Sequence, residues 1–350
     1  MGKIKWIDFQ FNGQALKAAD WSELSHDEWL AFRASNQKIG GSEVGTVCGM
    51  DSFKDPLILF YEKIGIKKKD NTGNVFTAGG HLDEAAIITR LEHWDHTGVT
   101  DWVDNYYAKV KHRRIETPDI TIFPEGLDWG AFNMDGFIYE DTEYPGEGIA
   151  EAKKIGGRYS DMFLGGSPPK YLFQLVSYME ATGSYYGRVI LLKDGVDVIV
   201  RSFDRSMEEY DIISKVVHNR CSRFYAAMQA GLKAVKKHKG DAMMDALYDI
   251  ESEYADVIYL SASEELAAWY TEQHLMKEKL AQIEMTAELR ALADRKLSLS
   301  DDISRASEEH DYVSNQIRRI MRNRGAKLAQ DDEVRIAFAK MLRVSYKKNL

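Results

Sequence analysis

Two acidic residues and a lysine near the middle of the chain have the types and spacing needed to hold a divalent cation. Glu151 and Lys153 are two positions apart in the segment Gly-Ile-Ala-Glu-Ala-Lys-Lys that ends at Lys154. The two-residue period of a β-strand would place both side chains on one face. Asp135 precedes them on a neighbouring predicted strand. Such a trio can bind a hard cation through carboxylate oxygens and orient a water molecule beside it. The pattern therefore indicates metal-assisted hydrolysis of a phosphodiester.

Predicted strands carry these residues, and predicted helices surround them. Apolar alternation predicts an edge strand over residues 4–16 and strands over 108–114, 120–123, 131–139 and 148–153. A hairpin is predicted over residues 185–203, because Asp194-Gly195 is a strong two-residue turn signal. Helical spacing is found over residues 21–33, 56–65, 78–94, 169–182 and 207–235. This order predicts an α/β fold in which helices sandwich a sheet.

Other polar side chains on these elements are candidates for the same site. Gly40-Gly41 predicts a tight turn, after which Ser42 would be the N-cap of a short helix. A helix start with a hydroxyl group and a nearby arginine, Arg33, is a suitable place for a phosphate. Glu84, on the helix 78–94, could add a carboxylate. Gln174, on the helix 169–182, could support a water molecule or a phosphate. For Glu84 and Gln174 the alternative is ordinary helix polarity, and for Ser42 it is a capping role alone.

Asp119 is a second candidate for the acid that precedes Glu151. It follows Pro118, so the two residues form a literal Pro-Asp pair. We prefer Asp135 because Gly136 follows it, and an acid at a strand end next to a glycine would give a bound ion close access.

Composition excludes several classes of protein. The only cysteines among the 350 residues are Cys48 and Cys221, and neither is in a C-x-x-C pair, so a disulfide framework or a zinc knuckle is excluded. No apolar run approaches the roughly 18–20 residues that span a bilayer. With no signal-peptide pattern at the start, we expect a reducing cytoplasm. The net charge of −9 disfavours indiscriminate nucleic-acid binding. A basic cluster of Lys153, Lys154 and Arg158 nevertheless adjoins the candidate acids.

The composition changes after Gly240, which predicts two domains. Residues 1–240 would form the sheet domain, and residues 255–350 a helical extension. Apolar residues recur there every seven positions, which is typical of a helical hairpin or a coiled coil: Leu292, Leu299, Ala306, Val313 and Ile320. The segment 298–302 fits either a turn between two helices or part of one continuous helix.

Five ordered motifs across residues 20–230 resemble those of a known nuclease family. The motifs are Arg33 with Gly40-Gly41-Ser42, Gly80 with Glu84, Asp135-Gly136, Glu151 with Lys153, and Tyr171 with Gln174. In this order they are similar to those of YqaJ-type viral recombinases, which are relatives of the phage lambda exonuclease in the PD-(D/E)XK nuclease superfamily. The resemblance implies a PD-(D/E)XK fold, in which helices flank a mixed central sheet.

The resemblance also implies an activity. A member of this family would be a Mg²⁺-dependent exonuclease, with Mn²⁺ as a substitute, that degrades one strand of duplex DNA from a 5′ end. It would act in phage-type recombination by single-strand annealing, inside a bacterial host cell. Its expected partners are duplex DNA ends, further copies of itself in a ring, and a single-strand annealing protein.

Roles for individual residues follow from the same resemblance. Asp135 and Glu151 would bind the metal, with Glu84 contributing through water, and Lys153 would position or activate the attacking water. Gln174 would lie beside the site, and Arg33 and Ser42 would take the terminal 5′-phosphate. Two alternatives stay open. One is an endonuclease or single-strand nuclease of the same fold, and the other is an inactive DNA-binding or assembly protein that acts through its helical tail.

Overall fold

A computed structural model describes most of the chain. The described residues are 3–51, 54–68, 75–95, 101–163 and 167–259, followed by parts of 287–313 and the segments 328–330, 334–338 and 342–346. The chain divides into two compact units, Met1–Met276 and Lys277–Leu350. No helix in the described ranges is long and apolar enough to cross a membrane.

A five-stranded mixed sheet forms the centre of the first unit. Its strands, in spatial order, are β3 (Arg113–Glu116), β5 (Gly136–Asp141), β6 (Gly148–Ile155), β7 (Tyr186–Lys193) and β8 (Asp197–Asp204). Neighbouring strands are antiparallel except β6 and β7, which are parallel. A parallel pair needs a crossover, and the helix α7 (Pro169–Thr182) supplies it.

A small antiparallel sheet packs beside the central one. It consists of β1 (Lys5–Phe11), β2 (Gln14–Asp20) and β4 (Ile120–Ile122). The edge strand predicted over residues 4–16 is therefore wrong in extent, because the chain turns back at Asn12-Gly13, where both residues have positive φ. Asn-Gly is a favoured two-residue hairpin turn. The rings of Phe9 and Phe11 meet Phe137 of β5 edge-on, at 4.8 and 4.9 Å between centroids.

Helices cover both faces of the central sheet. The other helices in the described part of the first unit are α1 (His26–Ser35), α2 (Gly41–Val47), α3 (Pro56–Lys63), α4 (Val75–His93), α5 (Asp101–Ala108), α6 (Gly157–Ser160), α8 (Glu208–Lys237) and α9 (Asp241–Glu253). On one face, Ile87 and Leu91 of α4 pack with Ala150 and Ala152 of β6. The other face meets α7, α2 and α8 in a larger core. The predicted fold class, a mixed sheet flanked by helices, is confirmed.

Two strand predictions are wrong in their bounds. Residues 101–108 form α5, so the strand predicted over 108–114 begins only at Arg113. The strand predicted over 131–139 begins only at Gly136, since Phe132 makes just an isolated bridge to Ile122. Asp135 therefore lies immediately before a strand. Alternating apolar residues do not distinguish a regular strand from an extended segment that leads into it.

The first unit extends beyond the domain boundary predicted at residue 240. Leu247 of α9 is buried in the larger core, together with Val257 and Ile258. The apolar positions of α9 pack against α8, so this helix belongs to the sheet domain. The sequence composition changes after Gly240, but the same hydrophobic core continues beyond it.

The second unit is not helical throughout, which corrects the helical extension predicted over residues 255–350. The described residues between 287 and 313 are helical, including residues 298–300 and 302 within the segment for which a turn was one alternative. Three strands follow and form an antiparallel sheet: β9 (Leu328–Gln330), β10 (Val334–Phe338) and β11 (Leu342–Tyr346). In β10, Val334, Ile336 and Phe338 alternate with other residues, a two-residue period that favours a strand over a helix.

Candidate active site

A cleft of about 460 Å³ contains every site residue predicted from the sequence. Elements from across the first unit line it, among them α1, α2, α4, the end of β6 and α7. The predicted residues in its wall are Arg33, Ser42, Glu84, Asp135, Glu151, Lys153 and Gln174. The predicted residues that meet in this cleft are thus up to 141 positions apart in the sequence, from Arg33 to Gln174.

The centre of the cleft is formed by Asp135, Glu151 and Lys153. Glu151 is fully buried, and its Oε1 forms an ion pair with the Lys153 ammonium group. The same ammonium lies 3.4 Å from Oδ2 of Asp135. That oxygen also accepts a 2.8 Å hydrogen bond from the backbone N–H of Ala152, which fixes the carboxylate against β6. As the strand period predicted, Glu151 and Lys153 share one face.

The charges in this centre are strongly coupled. Burial and the charge of Asp135 raise the pKa of Glu151 well above its ordinary value. Burial acts to lower the pKa of Lys153, but the Asp135 and Glu151 carboxylates outweigh it, so this pKa is raised and the ammonium stays charged. Burial and the nearby Asp135 charge raise the pKa of Glu84 to about 7. The charge of Asp135 is therefore a shared cause that raises all three pKa values.

The donor atoms fit a hard divalent cation. Oε2 of Glu151 is buried and has no hydrogen-bond partner among the described residues, and a buried carboxylate oxygen is costly to leave unpaired. A cation would satisfy it and would offset the coupling to Asp135. Within the described part of the chain, no three His, Cys, Asp or Glu side chains lie close enough to form a complete ligand set. Mg²⁺ is commonly held by one or two carboxylates together with substrate phosphates, which is what Asp135 and Glu151 offer.

Gln174 connects the Glu151 carboxylate to Tyr178, a residue that the sequence did not single out. Its amide nitrogen donates to Oε1 of Glu151 and, at 2.8 Å, to the hydroxyl of Tyr178. Tyr178 is buried one turn further along α7, and its hydroxyl donates to the backbone carbonyl of Asn133 at 2.9 Å. Burial and the nearby carboxylates raise the pKa of Tyr178, so the phenol stays protonated. The i, i+4 spacing of Gln174 and Tyr178 is the signal that could have identified it.

The role expected for Gly136 is wrong. A Cβ atom at this position would lie 2.7 Å from Cγ2 of Ile115 and 3.3 Å from Cβ of Ala150. The glycine therefore lets β5 pack closely against neighbouring side chains in the interior. It does not open a path for an ion, and access to Asp135 comes from the cleft side.

The wall that carries Arg33 and Ser42 differs in one detail from the sequence prediction. Gly40, not Ser42, is the N-cap of α2, and Ser42 lies in the first helical turn. The backbone N–H of Gly40 donates to Oε2 of Glu43 at 2.8 Å, which is the half of a capping box that a glutamate at the third helical position supplies. The other half, which an N-cap hydroxyl would supply, has no counterpart at Gly40. The Arg33 guanidinium lies over the ring of Trp29, 4.7 Å from its centroid.

Both candidates for the acid that precedes Glu151, Asp119 and Asp135, line the cleft. Pro118 and Asp119 line it together with Asp135, but Asp119 is exposed, and Asp135 makes the contacts with Lys153 and Ala152. The preference for Asp135 therefore agrees with the geometry, although the reason given for it, access beside Gly136, does not hold.

Comparisons with known proteins give structural neighbours only. No family model and no curated protein matches the sequence. An alkaline exonuclease, LHK-Exo from Laribacter hongkongensis, is similar over 60% of this chain and 96% of its own, with 18% identity and a TM-score of 0.44. LHK-Exo in complex with dAMP gives 19% identity, the same coverage and the same score. The structure of SSO0001 covers 67% of this chain and 98% of its own, with 11% identity and a TM-score of 0.31. Similarity at this level leaves the chemistry to be argued from the residues of the cleft.

Proposed function

We propose that the protein is a divalent-metal-dependent deoxyribonuclease. The observation that carries this proposal is the buried carboxylate of Glu151, which has one oxygen on the Lys153 ammonium and the other without a hydrogen-bond partner among the described residues. Beside it lies Asp135, with a second oxygen-donor group. Two carboxylates and a lysine in an open cleft supply a cation site and a positive group for a water or a phosphate.

Each residue of the centre has a distinct task in this proposal. Asp135 and Glu151 hold the cation, which would be Mg²⁺ with Mn²⁺ as a substitute. When bound, the cation supplies Lewis-acid stabilisation of the negative charge that develops on the scissile phosphate. Lys153 orients the attacking water and lowers the cost of forming hydroxide, because its ammonium stays charged between two carboxylates. Gln174 keeps the Glu151 carboxylate in place, and Glu84 contributes to the cation site through water.

The finer proposal is an exonuclease that attacks one strand of duplex DNA from its 5′ end. Its support is the wall of the cleft formed by Arg33 and Ser42, which offers a guanidinium and a hydroxyl group in the same cavity as the carboxylates. An arginine can bind a terminal phosphate through two parallel hydrogen bonds. A terminal phosphate held there would place the first phosphodiester near Glu151. A role in recombination, with DNA ends, a ring of subunits and an annealing protein as partners, belongs to the same proposal.

Digestion of end-labelled DNA tests the activity. Linear duplex DNA with a 5′-phosphate on one strand only would be incubated with the protein and Mg²⁺, then with EDTA, and in parallel with a Glu151→Gln variant. We expect metal-dependent loss of the phosphorylated strand, reduced at least about 10³-fold in the variant. Equal digestion by the variant would overturn the assignment of Glu151.

Closed and single-stranded substrates separate the remaining alternatives. A covalently closed circle should survive an exonuclease, whereas an endonuclease of the same fold would cut it. If no linear, nicked or single-stranded DNA is digested at any metal concentration, the nuclease proposal fails and a DNA-binding or assembly role replaces it.

A further inference from the structure

Lys154 leaves β6 on the opposite face from its neighbour Lys153, yet both side chains line the same cleft. On that opposite face, Ala150 and Ala152 pack against α4. Lys154 continues this row, and its side chain is 40% exposed. The cleft therefore wraps around the end of β6, with Lys153 on the inner side and Lys154 at the rim.

At the rim, Lys154 forms an ion pair with Asp83 of α4. Its Nζ atom lies 2.6 Å from Oδ2 of Asp83, whose side chain is 35% exposed. Asp83 directly precedes Glu84, so the ion pair joins the helix that carries Glu84 to the strand that carries Glu151. Exposed ion pairs of this kind contribute little to stability, because water screens both charges. The folded protein therefore does not need this contact, and another anion can replace the carboxylate without unfolding it.

We propose that Lys154 binds a backbone phosphate of the DNA strand that enters the cleft, and that Asp83 holds the lysine and competes with that phosphate in the free protein. The inference rests on the proposed nuclease function and names a residue pair that sets substrate affinity. Binding exchanges the contact with Asp83 for a contact with a phosphate oxygen. Asp83 thus lowers the affinity of the protein for DNA, because its ion pair with Lys154 must break before the phosphate binds. The lower affinity favours dissociation of the DNA strand between successive phosphate contacts.

Binding measurements on the full-length protein test the pair. A fluorescent linear duplex would be titrated in EDTA, so that it is not cleaved, and followed by anisotropy at several salt concentrations. We expect Lys154→Gln to weaken binding about 5- to 10-fold and to reduce the slope of log K against log salt by about 0.9, the value for one phosphate contact. We expect Asp83→Asn to tighten binding about 3-fold.

The double variant shows whether Asp83 acts through Lys154. If it does, Lys154→Gln with Asp83→Asn should bind no more tightly than Lys154→Gln alone, because the carboxylate no longer has a lysine to hold. The matched control is Asp256→Asn, which also removes one acid from an exposed ion pair, with Arg223 at 2.7 Å, and does not line the cleft. Its affinity should equal that of the wild type. Thermal unfolding of all variants should match, since every changed side chain is solvated.

Several results would overturn the inference. Unchanged affinity in Lys154→Gln would exclude the phosphate contact, and equal tightening by Asp83→Asn with and without Lys154 would mean a general charge effect. In either case a wild type that binds and digests DNA leaves the proposed function intact. If the wild type neither binds nor digests DNA, the proposed function itself fails, and the inference fails with it.

Discussion

The hydroxyl group of Tyr178 donates a 2.9 Å hydrogen bond to the backbone carbonyl of Asn133. This contact ties α7 to the extended segment that ends at Asp135. The side chain of Asn133 in turn donates to Oγ1 of Thr121 at 2.9 Å, which connects the segment to β4. The backbone that leads into Asp135 is therefore held on two sides by polar contacts between residues far apart in the sequence.

Replacing Tyr178 with phenylalanine should slow the reaction more than it weakens substrate binding. The change removes one donor to Asn133 and the acceptor for the Gln174 amide, so Glu151 and Asp135 lose part of their positioning. We expect kcat to fall about tenfold with KM nearly unchanged, and the free energy of unfolding to fall by about 1 kcal/mol. Steady-state digestion and urea unfolding measure both values. An unchanged kcat would show that the tyrosine is only a packing residue.

Gly41 should not tolerate a side chain. A Cβ atom there would lie 2.2 Å from the ring of Tyr178, so α2 or α7 would have to move. Gly41→Ala should lower the free energy of unfolding by about 1–3 kcal/mol, the usual effect of overpacking. Gly156→Ala is the control, since a Cβ there meets nothing within 4 Å and the backbone φ is −77°. Equal melting temperatures for the two variants would contradict the close contact.

Arg188 should be essential for stability, because its charge is fully buried. The guanidinium pairs with Asp141 and Glu143, both at 2.9 Å, in a cluster that also contains Arg113. Arg188→Met removes one cationic partner from Asp141 and Glu143. It should lower the free energy of unfolding, measured in urea, by about 3–5 kcal/mol.

The control for this prediction lies on β3. Arg114 pairs with Glu116 and Glu140, but its side chain is 50% exposed. Arg114→Met should lower the free energy of unfolding by less than about 1 kcal/mol. Similar losses in the two variants would mean that burial does not set the energy of these ion pairs.

The protein should lose stability in acid partly through Glu180. Burial raises the pKa of this carboxyl, but the hydrogen bond from Tyr210, the charge of Arg205 and the contact with His218 lower it more, so its pKa is below the ordinary 4.5. A lowered pKa in the folded state means that the stabilisation is present above pH 4.5 and is lost as the pH falls through the lower folded value. Urea unfolding at pH 6 and at about pH 3 should show a smaller loss of stability for Glu180→Gln than for the wild type. An equal loss in both proteins would contradict this contribution.

Two truncations should separate the first compact unit from the second. A chain ending at Met276 keeps the whole first compact unit and should retain metal-dependent digestion. A chain ending at residue 255 loses Val257 and Ile258, which are 0% and 3% exposed in the core. It should be less stable by roughly 1.5–3 kcal/mol for each of these residues. Thermal unfolding and digestion assays compare the two, and equal stability would show that the core ends before Val257.

The local sequence determined most of the elements and the direction of the site side chains within them. The two-residue period of β6 placed Glu151 and Lys153 on one face, and α7 was evident from its helical spacing and the Gly183 that ends it. All seven predicted residues, from Arg33 to Gln174, line one cleft. Strand and helix periods fix side-chain directions over a few residues, whatever lies elsewhere in the chain. That Arg33, Ser42, Glu84 and Gln174 share a site with Glu151 is implied instead by the ordered motifs that resemble those of a nuclease family.

Contacts between distant residues were decided only by the tertiary structure. Three contacts described above join separate elements, and no local period of the sequence encodes them. They are the hydrogen bond from Tyr178 to Asn133, the ion pair of Lys154 with Asp83 and the packing of Gly41 on Tyr178. The same holds for α9, which belongs to the first core because Leu247 packs there, although the composition changes before it. Strands β9 to β11 depart from the predicted helical extension because the heptad positions end at Ile320, before β9 begins at Leu328. Local spacing determines which way a side chain points, while the packing of the whole chain determines what it meets.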